Sequence, residues 1–184
     1  MFHASPQPGT LQASCDEQVV CTTLPLSEIE GDPELFGLAR EYWDRIRGGR
    51  WAPARGDFNP SDIAHILPHV LLMEVCGSKP RFRYRLAGTR TADIHGVELT
   101  GRYVDELRPT EFAQLLTEQL MAVVRDRSCQ LVHWSFVNGA DQYRDYRVLR
   151  MPLSSDGENV DLILTVADYL RIRKPLGLLS VSRL

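Results

Sequence analysis

The sequence has no long apolar run. Apolar runs such as residues 70–73 and 162–166 are far shorter than the about 20 residues that a helix needs to cross a bilayer. The N-terminus has neither a basic start nor a continuous apolar core, so no secretory signal is predicted. We therefore expect a soluble, cytoplasmic protein that does not associate with a membrane.

The sequence also has no excess of positive charge. It holds 21 basic and 24 acidic side chains, for a formal net charge of −3. Proteins that bind nucleic acid or anionic membranes generally carry a basic surface that attracts phosphate groups. No nucleic-acid partner is expected.

Potential metal ligands are few and poorly spaced. The four cysteines form no CxxC pair, and Cys15 and Cys21 fall in a tail without sustained periodicity, so neither a disulfide framework nor a zinc site is predicted. His65 and His69 have the spacing of a helical metal pair, but Pro68 between them disrupts a helix. We predict no metal site.

Motifs of catalysis are missing as well. The sequence has no GxSxG, HExxH or phosphate-binding loop, and GVELTG at residues 96–101 lacks the GxGxxG spacing. No catalytic residue is assigned, and the protein is not expected to be an enzyme. One alternative stays open, a small enzyme that uses Asp93, His95 or Glu98 beside a pocket.

The stretch 81–101 is where the other predicted elements converge. It begins as a strand in which Arg81, Arg83 and Arg85 alternate with Phe82, Tyr84 and Leu86. The basic row suits either a salt-bridged sheet face or phosphate binding. Gly88 ends the strand, and residues 91–95 have room for only a short helix. A sheet face that meets short helices is a common pocket wall.

Three segments are predicted along the chain: a flexible arm over residues 1–31, a domain over 32–169 and a tail over 170–184. Asp32, followed by Pro33, predicts the start of an amphipathic helix that Gly48 ends. Its apolar face packs either on the chain's own sheet or on a second copy. The candidate homodimer interface on this face consists of Leu35, Leu38, Tyr42, Trp43 and Ile46.

Five strands are predicted after this helix, over residues 69–76, 81–87, 129–137, 143–153 and 160–169. The first two form a hairpin, and a long helix that begins after Pro109 precedes the other three. Strands and helices do not alternate as they would in a doubly wound fold. The fold class is therefore α+β, with a five-stranded antiparallel sheet, helices on one face and an N-terminal amphipathic helix.

Four stretches carry a family resemblance. They are YWDRIRGGRWAPARGDFNPSDIAHILPHVLLMEV, FRYRLAGT, GVELTGRYVDEL and LRMPLSSDGENVDLIL, in this order over about residues 41–166. Together they resemble the PAS domain, and their sequences are similar to those of a stand-alone alphaproteobacterial PAS family. The resemblance implies a bacterial sensory or interaction module in which sheet and helices enclose a small cavity, and which often pairs through its N-terminal helix.

The sequence names neither a cofactor nor a ligand. An NCRFLQ-like motif, which a flavin-photoadduct sensor needs, is missing, and residues 111–126 contain no His or Cys, which disfavours haem. His95 is either a ligand contact or a polar residue at the end of a short helix. The candidate pocket residues are Phe82, Tyr84, Leu86, His95, Phe112, Leu116, Trp134 and Phe136.

These observations favour a PAS-like signalling module that binds a small ligand, a protein partner or both. Since the sequence contains no kinase, cyclase or DNA-reading motif, its output is expected to pass to another chain. The alternative is a structural adaptor with a filled core that dimerises through the N-terminal helix.

Overall fold

The computed structural model describes residues 18–30, 32, 34–137, 143–170, 172, 176 and 179–181. The predicted turn at residues 138–141 lies outside this part of the chain. The helices are α1 (Phe36–Arg47), α2 (Thr89–His95) and α3 (Thr110–Asp126). The strands are β1 (Gln18–Leu24), β2 (Val70–Cys76), β3 (Arg81–Ala87), β4 (Leu107–Arg108), β5 (Gln130–Val137), β6 (Tyr143–Leu153), β7 (Leu162–Ala167) and β8 (Ser180–Val181).

A single antiparallel sheet forms the centre of the fold. Its strand order is β1-β5-β6-β7-β2-β3, and β4 pairs with β8 separately. The predicted hairpin of β2 and β3 is confirmed, with Cys76 opposite Arg81. All six residues of β7 are buried, as predicted for a central strand that is covered on both faces. The α+β class and the antiparallel sheet are thus confirmed.

The sheet has six strands, one more than predicted. The additional strand, β1, lies within the segment expected to be a flexible arm, and it pairs with β5 from Gln18 opposite Val137 to Leu24 opposite Leu131. The side chains of β1 give only a weak apolar pattern because it is an edge strand, with Val20 40% exposed. Backbone hydrogen bonds to β5, rather than a strong side-chain pattern, place this strand.

Helix α1 begins at Phe36, three residues after the first helical position that Asp32 and Pro33 predict. The Asp32 carboxylate accepts hydrogen bonds from the backbone N–H groups of Glu34 at 3.0 Å and Leu35 at 3.2 Å. It also accepts from the N–H of Phe36, the first helical residue, at 3.4 Å, and this group has no partner inside the helix, so the carboxylate stabilises the first turn. Gly48, with φ of 57°, ends the helix. None of the helices in the described residues is both long and apolar enough to cross a membrane.

The apolar side of α1 packs on the chain's own sheet. Leu35, Tyr42 and Trp43 are buried, and the indole Nε1 of Trp43 donates a hydrogen bond to the carbonyl oxygen of Pro152 at 2.9 Å. This is one of the two partners that the sequence left open for this face. Leu38 and Ile46 are only half-buried. A second copy would therefore meet the edge of this face rather than its centre, and dimerisation through α1 stays a prediction.

Helices α2 and α3 pack on the opposite face of the sheet. Side chains of β6 alternate between the two layers: Tyr146 and Val148 join the layer with α3, whereas Leu149 and Met151 join the layer with α1. By this alternation Arg150 points into the α3 layer, which is otherwise largely apolar. The site described below lies in this layer.

The C-terminal segment docks on the domain. Ser180 and Val181 form β8 beside β4, and Leu176 and Leu179 are buried in the α3 layer. The sequence left open whether this tail packs on the domain or on a partner. Within the described residues its apolar side chains contact the domain, so the tail is part of the wall of this layer.

Candidate ligand-binding site

A small cavity lies between the sheet and helices α2 and α3. Its volume is about 40 Å³. Most of its wall is apolar, but hydroxyl, imidazole and guanidinium groups also face it. The lining residues are Leu71, Met73, Tyr84, Thr91, His95, Leu99, Phe112, Leu116, Leu120, Trp134, Tyr146, Val148, Arg150, Thr165, Ala167, Tyr169 and Leu179.

Most of the candidate pocket residues lie around this cavity. Those that line it are Tyr84, His95, Phe112, Leu116 and Trp134. Phe82 and Phe136 are buried in the same layer but do not line the cavity. Whether any of them contacts a ligand stays a prediction, while their placement agrees with the expected pocket wall.

Leu86 requires a correction, because it does not share a face with Phe82 and Tyr84. Leu86 pairs with Leu72 and Tyr84 pairs with Met73, which are adjacent on β2. Arg85 therefore has no partner on β2, and the register shifts at this point. Such a bulge interrupts the alternation of side chains between the two faces. Leu86 consequently packs in the α1 layer, away from the cavity.

Closely spaced aromatic rings form part of the cavity wall and the layer behind it. Phe112 of α3 lies 5.0 Å from Trp134 of β5, measured between ring centroids. Phe136 stacks on Tyr146 at 5.6 Å, and Tyr146 lies 5.0 Å from Tyr169. These separations are in the favourable range for aromatic pairs, so the rings stabilise one another.

His95, at the end of α2, is buried in this aromatic group. It is 2% exposed, and its Nε2 lies 3.3 Å from the hydroxyl oxygen of Tyr169. The other ring nitrogen, Nδ1, has no hydrogen-bond partner. Burial lowers the pKa of His95 to about 4, because a charged imidazolium is disfavoured away from water. The ring is therefore neutral near pH 7 and has one nitrogen free to bind.

Arg150 is the most unusual residue of the site. Its side chain, on β6, is 1% exposed, and neither Nε nor Nη1 has a hydrogen-bond partner. Its neighbours across the adjacent strands are the uncharged Gln130 and Thr165. No carboxylate within the described residues forms an ion pair with Arg150, although other arginines of the chain do have such partners. Burial lowers the pKa of Arg150 to about 10.

Further polar atoms at the cavity also lack partners. The hydroxyl oxygens of Thr91 and Thr165 are buried without a hydrogen bond, as is Nδ1 of His95. Together with Arg150 they leave several hydrogen-bond donors and acceptors around one cavity without partners. Buried polar groups in folded proteins are nearly always paired, so a cluster of unpaired ones around a void makes this cavity the candidate ligand-binding site.

The basic row of β3 does not form a second site. Arg83 pairs with Glu74, and the Nε of Arg81 lies 2.6 Å from a carboxylate oxygen of Asp105. The hydrogen bond from Arg83 holds the pKa of Glu74 below its usual value. Both guanidinium groups are therefore already partnered, which agrees with a salt-bridged sheet face and disfavours phosphate binding.

The residues of the enzyme alternative are not brought together at the cavity. Of Asp93, His95 and Glu98, only His95 lines it, and the two carboxylates are exposed. His65 is exposed, and Nδ1 of His69 lies 3.0 Å from the carbonyl oxygen of Ala167. The described residues contain no group of three or more His, Cys, Asp and Glu side chains placed to hold a metal ion.

The size of the cavity restricts what can bind. Pockets for drug-sized ligands occupy about 300–1,000 Å³, so a void of about 40 Å³ has no room for a flavin or a haem. One water needs roughly 10–15 Å³ by this measure. The cavity thus fits a few waters or a ligand of a few atoms.

Five polar residues of the site are not among those predicted from the sequence, namely Thr91, Tyr146, Arg150, Thr165 and Tyr169. A signal for Arg150 was present. In the predicted strand 143–153, Tyr146, Val148 and Arg150 share one face. Since Tyr146 and Val148 direct this face toward the core, the charged side chain of Arg150 also points inward. No comparable signal marks Thr165 or Tyr169, because both lie in or beside a strand that is buried on both faces.

A comparison with protein-family models gives a match over most of the chain. A family model described as PAS domain matches residues 36–167, which is well over half of the 184 residues. The matched region runs from the start of α1 to the end of β7 and includes most of the cavity wall. A comparison with curated protein sequences gave no match.

Proposed function

The chain belongs to the PAS domain family, whose members generally serve in sensing and signalling rather than catalysis, and from this we propose that it senses a small molecule in the cavity between the sheet and helices α2 and α3. Occupancy of the cavity alters the surface that a protein partner contacts. The domain itself performs no chemistry on the ligand.

One observation carries this proposal, the set of unpaired polar atoms around the cavity. Leaving a buried donor or acceptor without a partner costs about 1–3 kcal/mol. Arg150, Thr91, Thr165 and His95 each hold such an atom at the cavity or beside it. In a purely structural adaptor with a filled core, these unpaired atoms would only destabilise the fold. A bound ligand would offset these costs.

The C-terminal segment offers a route from the cavity to the surface. Leu179 lines the cavity, and the next two residues pair with β4 as strand β8. The side chain of Arg90 on α2 also donates a hydrogen bond to the carbonyl oxygen of Ile172 at 3.0 Å. A ligand that moves Leu179 or α2 would therefore change how this segment sits on the domain. We propose that the protein partner recognises this change in the position of the segment.

Native mass spectrometry and an absorption spectrum of freshly purified protein provide the first test. A reproducible small mass above that of the chain, released on denaturation, is the expected result. Nuclear magnetic resonance with small-molecule mixtures then locates the binding, and shifts are expected at the indole N–H of Trp134 and at the methyl groups of Leu116.

A cavity-filling variant controls this experiment. Leu116→Phe places extra atoms in the cavity, whereas Leu115→Phe changes the adjacent, half-buried position of the same helix. Ligand-dependent shifts are expected to vanish in the first variant and to persist in the second. If no mixture produces shifts at the cavity in the wild-type protein, the sensing proposal fails.

A further inference from the structure

We propose that the ligand of the cavity is a small monocarboxylate, of the size of formate or acetate, whose negative charge is held by the guanidinium of Arg150. This inference rests on the proposed function, since it names the chemical class of the ligand. It follows from the charge, the surroundings and the space around one side chain.

The positive charge of Arg150 requires an anionic partner. A guanidinium remains protonated in proteins, and an isolated charge that is removed from water carries a penalty of several kcal/mol. Arg150 is 1% exposed, so water does not solvate it from outside, and two of its nitrogens have no hydrogen-bond partner. A bound anion would provide both the missing charge and the missing acceptors.

The surrounding side chains do not provide that anion. Gln130 and Thr165, which flank Arg150 on the neighbouring strands, are neutral. Tyr84 and Tyr146 also line the cavity, but burial raises the pKa of both phenols, so they remain protonated near pH 7. Burial likewise raises the pKa of the Cys21 thiol. Within the described residues, the positive charge is therefore left without a negative partner.

The dimensions favour a monocarboxylate. A volume of about 40 Å³ corresponds to roughly three or four waters, which is the size of formate or acetate. A single guanidinium balances one negative charge, and His95, with a pKa of about 4, adds none near pH 7. A monoanion therefore leaves the site neutral, whereas a dianion such as sulfate would bring one uncompensated charge into the core.

The remaining wall suits both ends of such a molecule. The free hydroxyl groups of Thr91 and Thr165 can donate to carboxylate oxygens. Leu71, Met73 and Leu116 give the cavity an apolar part that would contact a methyl group. Acetate has this combination of a charged end and an apolar end, which is why we choose it as the probe.

The test compares sodium acetate with acetamide, its neutral isostere, on the full chain at constant ionic strength. Sodium gluconate, whose anion is too large for the cavity, serves as the balancing salt. Thermal unfolding and the resonances of Trp134 and His95 are followed during each titration. Wild-type protein is expected to show saturable acetate shifts and, at a hundredfold excess over the Kd, a Tm higher by roughly 5–10 °C.

Two variants assign the effect to Arg150. Arg150→Met keeps a long side chain without the charge and is expected to weaken acetate binding by at least about 30-fold. Arg147→Met is the matched control, since Arg147 lies on the same strand but faces the other layer and pairs with Asp168. It should bind acetate as the wild type does. If Arg150→Met does not fold, Arg150→Lys keeps the charge and should retain weaker binding.

The outcomes separate this inference from the function on which it rests. Equal binding of acetate and acetamide, or undiminished acetate binding by Arg150→Met, would overturn the anion inference and leave small-molecule sensing intact. No binding of either probe by folded wild-type protein would also overturn the anion inference. Failure of the whole sensing function would require, in addition, that the mixture screen find no ligand at the cavity.

Discussion

The backbone N–H of Leu176 donates a hydrogen bond of 2.6 Å to the carbonyl oxygen of Ile94. Ile94 directly precedes His95, which lines the cavity, and Leu176 belongs to the segment after the last strand of the sheet. This bond joins the C-terminal segment to the helix that carries a cavity residue. The tail is therefore connected to the site through backbone as well as through the side chain of Leu179.

Shortening Leu179 should enlarge the cavity. Leu179→Ala removes three carbon atoms from its wall and is expected to destabilise the fold by about 2–3 kcal/mol, because buried leucine contacts are lost. The variant should also bind propionate or butyrate more tightly than the wild type does. Urea unfolding and titration calorimetry measure the two effects. Leu170→Ala, at a position that is 52% exposed, is the control and should change neither.

Removing the buried charge should stabilise the empty protein. Arg150→Met replaces an unpaired guanidinium by an apolar side chain of similar length, and we expect the free energy of unfolding to rise by about 1–4 kcal/mol in buffer without carboxylates. With saturating acetate the order should reverse, because the wild type gains more ligand binding energy than the variant does. A lower stability of Arg150→Met in both buffers would show that Arg150 is structurally satisfied.

His95 should make the fold sensitive to mild acid. Its pKa is lowered from the ordinary 6.5 to about 4 in the folded state, so between these values the unfolded chain binds the proton and the folded chain does not. Stability therefore decreases as the pH falls through this window, and the His95 contribution amounts to about 2 kcal/mol between pH 7 and pH 5. Urea unfolding at both pH values measures it.

The control for this effect is a pair of variants. His95→Gln should lose the His95 part of the acid sensitivity, while His65→Gln, at an exposed position, should keep the full wild-type slope. An unchanged slope in His95→Gln would mean that the imidazole is protonated in the fold at pH 5.

Gly88 should be intolerant of any side chain. An added Cβ would lie 2.5 Å from the carbonyl oxygen of Leu67 and closer still to that of Pro68, so the turn before β2 would have to move. Gly88→Ala is expected to cost about 1–3 kcal/mol and to disturb α2, since Gly88 directly precedes that helix. Chemical denaturation and the His95 resonances report both effects. Gly56→Ala, with no atom within 4 Å of its Cβ, should be nearly neutral.

Trp43 should contribute to stability rather than to assembly. Trp43→Phe leaves the Pro152 carbonyl without its indole donor and is expected to cost about 1–3 kcal/mol. The mass measured by light scattering should equal that of the wild type, because the indole is buried inside the chain. A change of mass in this variant, without one in the exposed-side variant Glu41→Ala, would instead support dimerisation through this face of α1.

Much of the architecture is predictable from local signals. Gly48 marks the end of α1, Asp32 marks its start to within a few residues, and β3 and β6 have the bounds that the sequence predicts. These signals are readable because capping, turn formation and amphipathic periodicity depend on residues that are close in the chain. Strand β1 has a weaker pattern, and its place depends on a partner strand more than a hundred residues away.

The candidate site likewise contains residues that local sequence patterns predict and residues that they do not. Aromatic and apolar wall residues such as Tyr84, Phe112 and Trp134 are recognisable because strand and helix periodicity direct them to the core. Leu86 was misplaced because a one-residue bulge depends on how two strands pair, which the sequence of one strand does not reveal.

The sequence by itself determined the fold class, most of the strands and helices, and the inward face of most of these elements, since these follow from the spacing of apolar residues. Only the tertiary structure decided that Arg150 lies beside a void with no carboxylate partner among the described residues, and that His95 and Leu179 reach the same void. Whether a charge is paired depends on groups that are distant in the chain, and no local pattern encodes that.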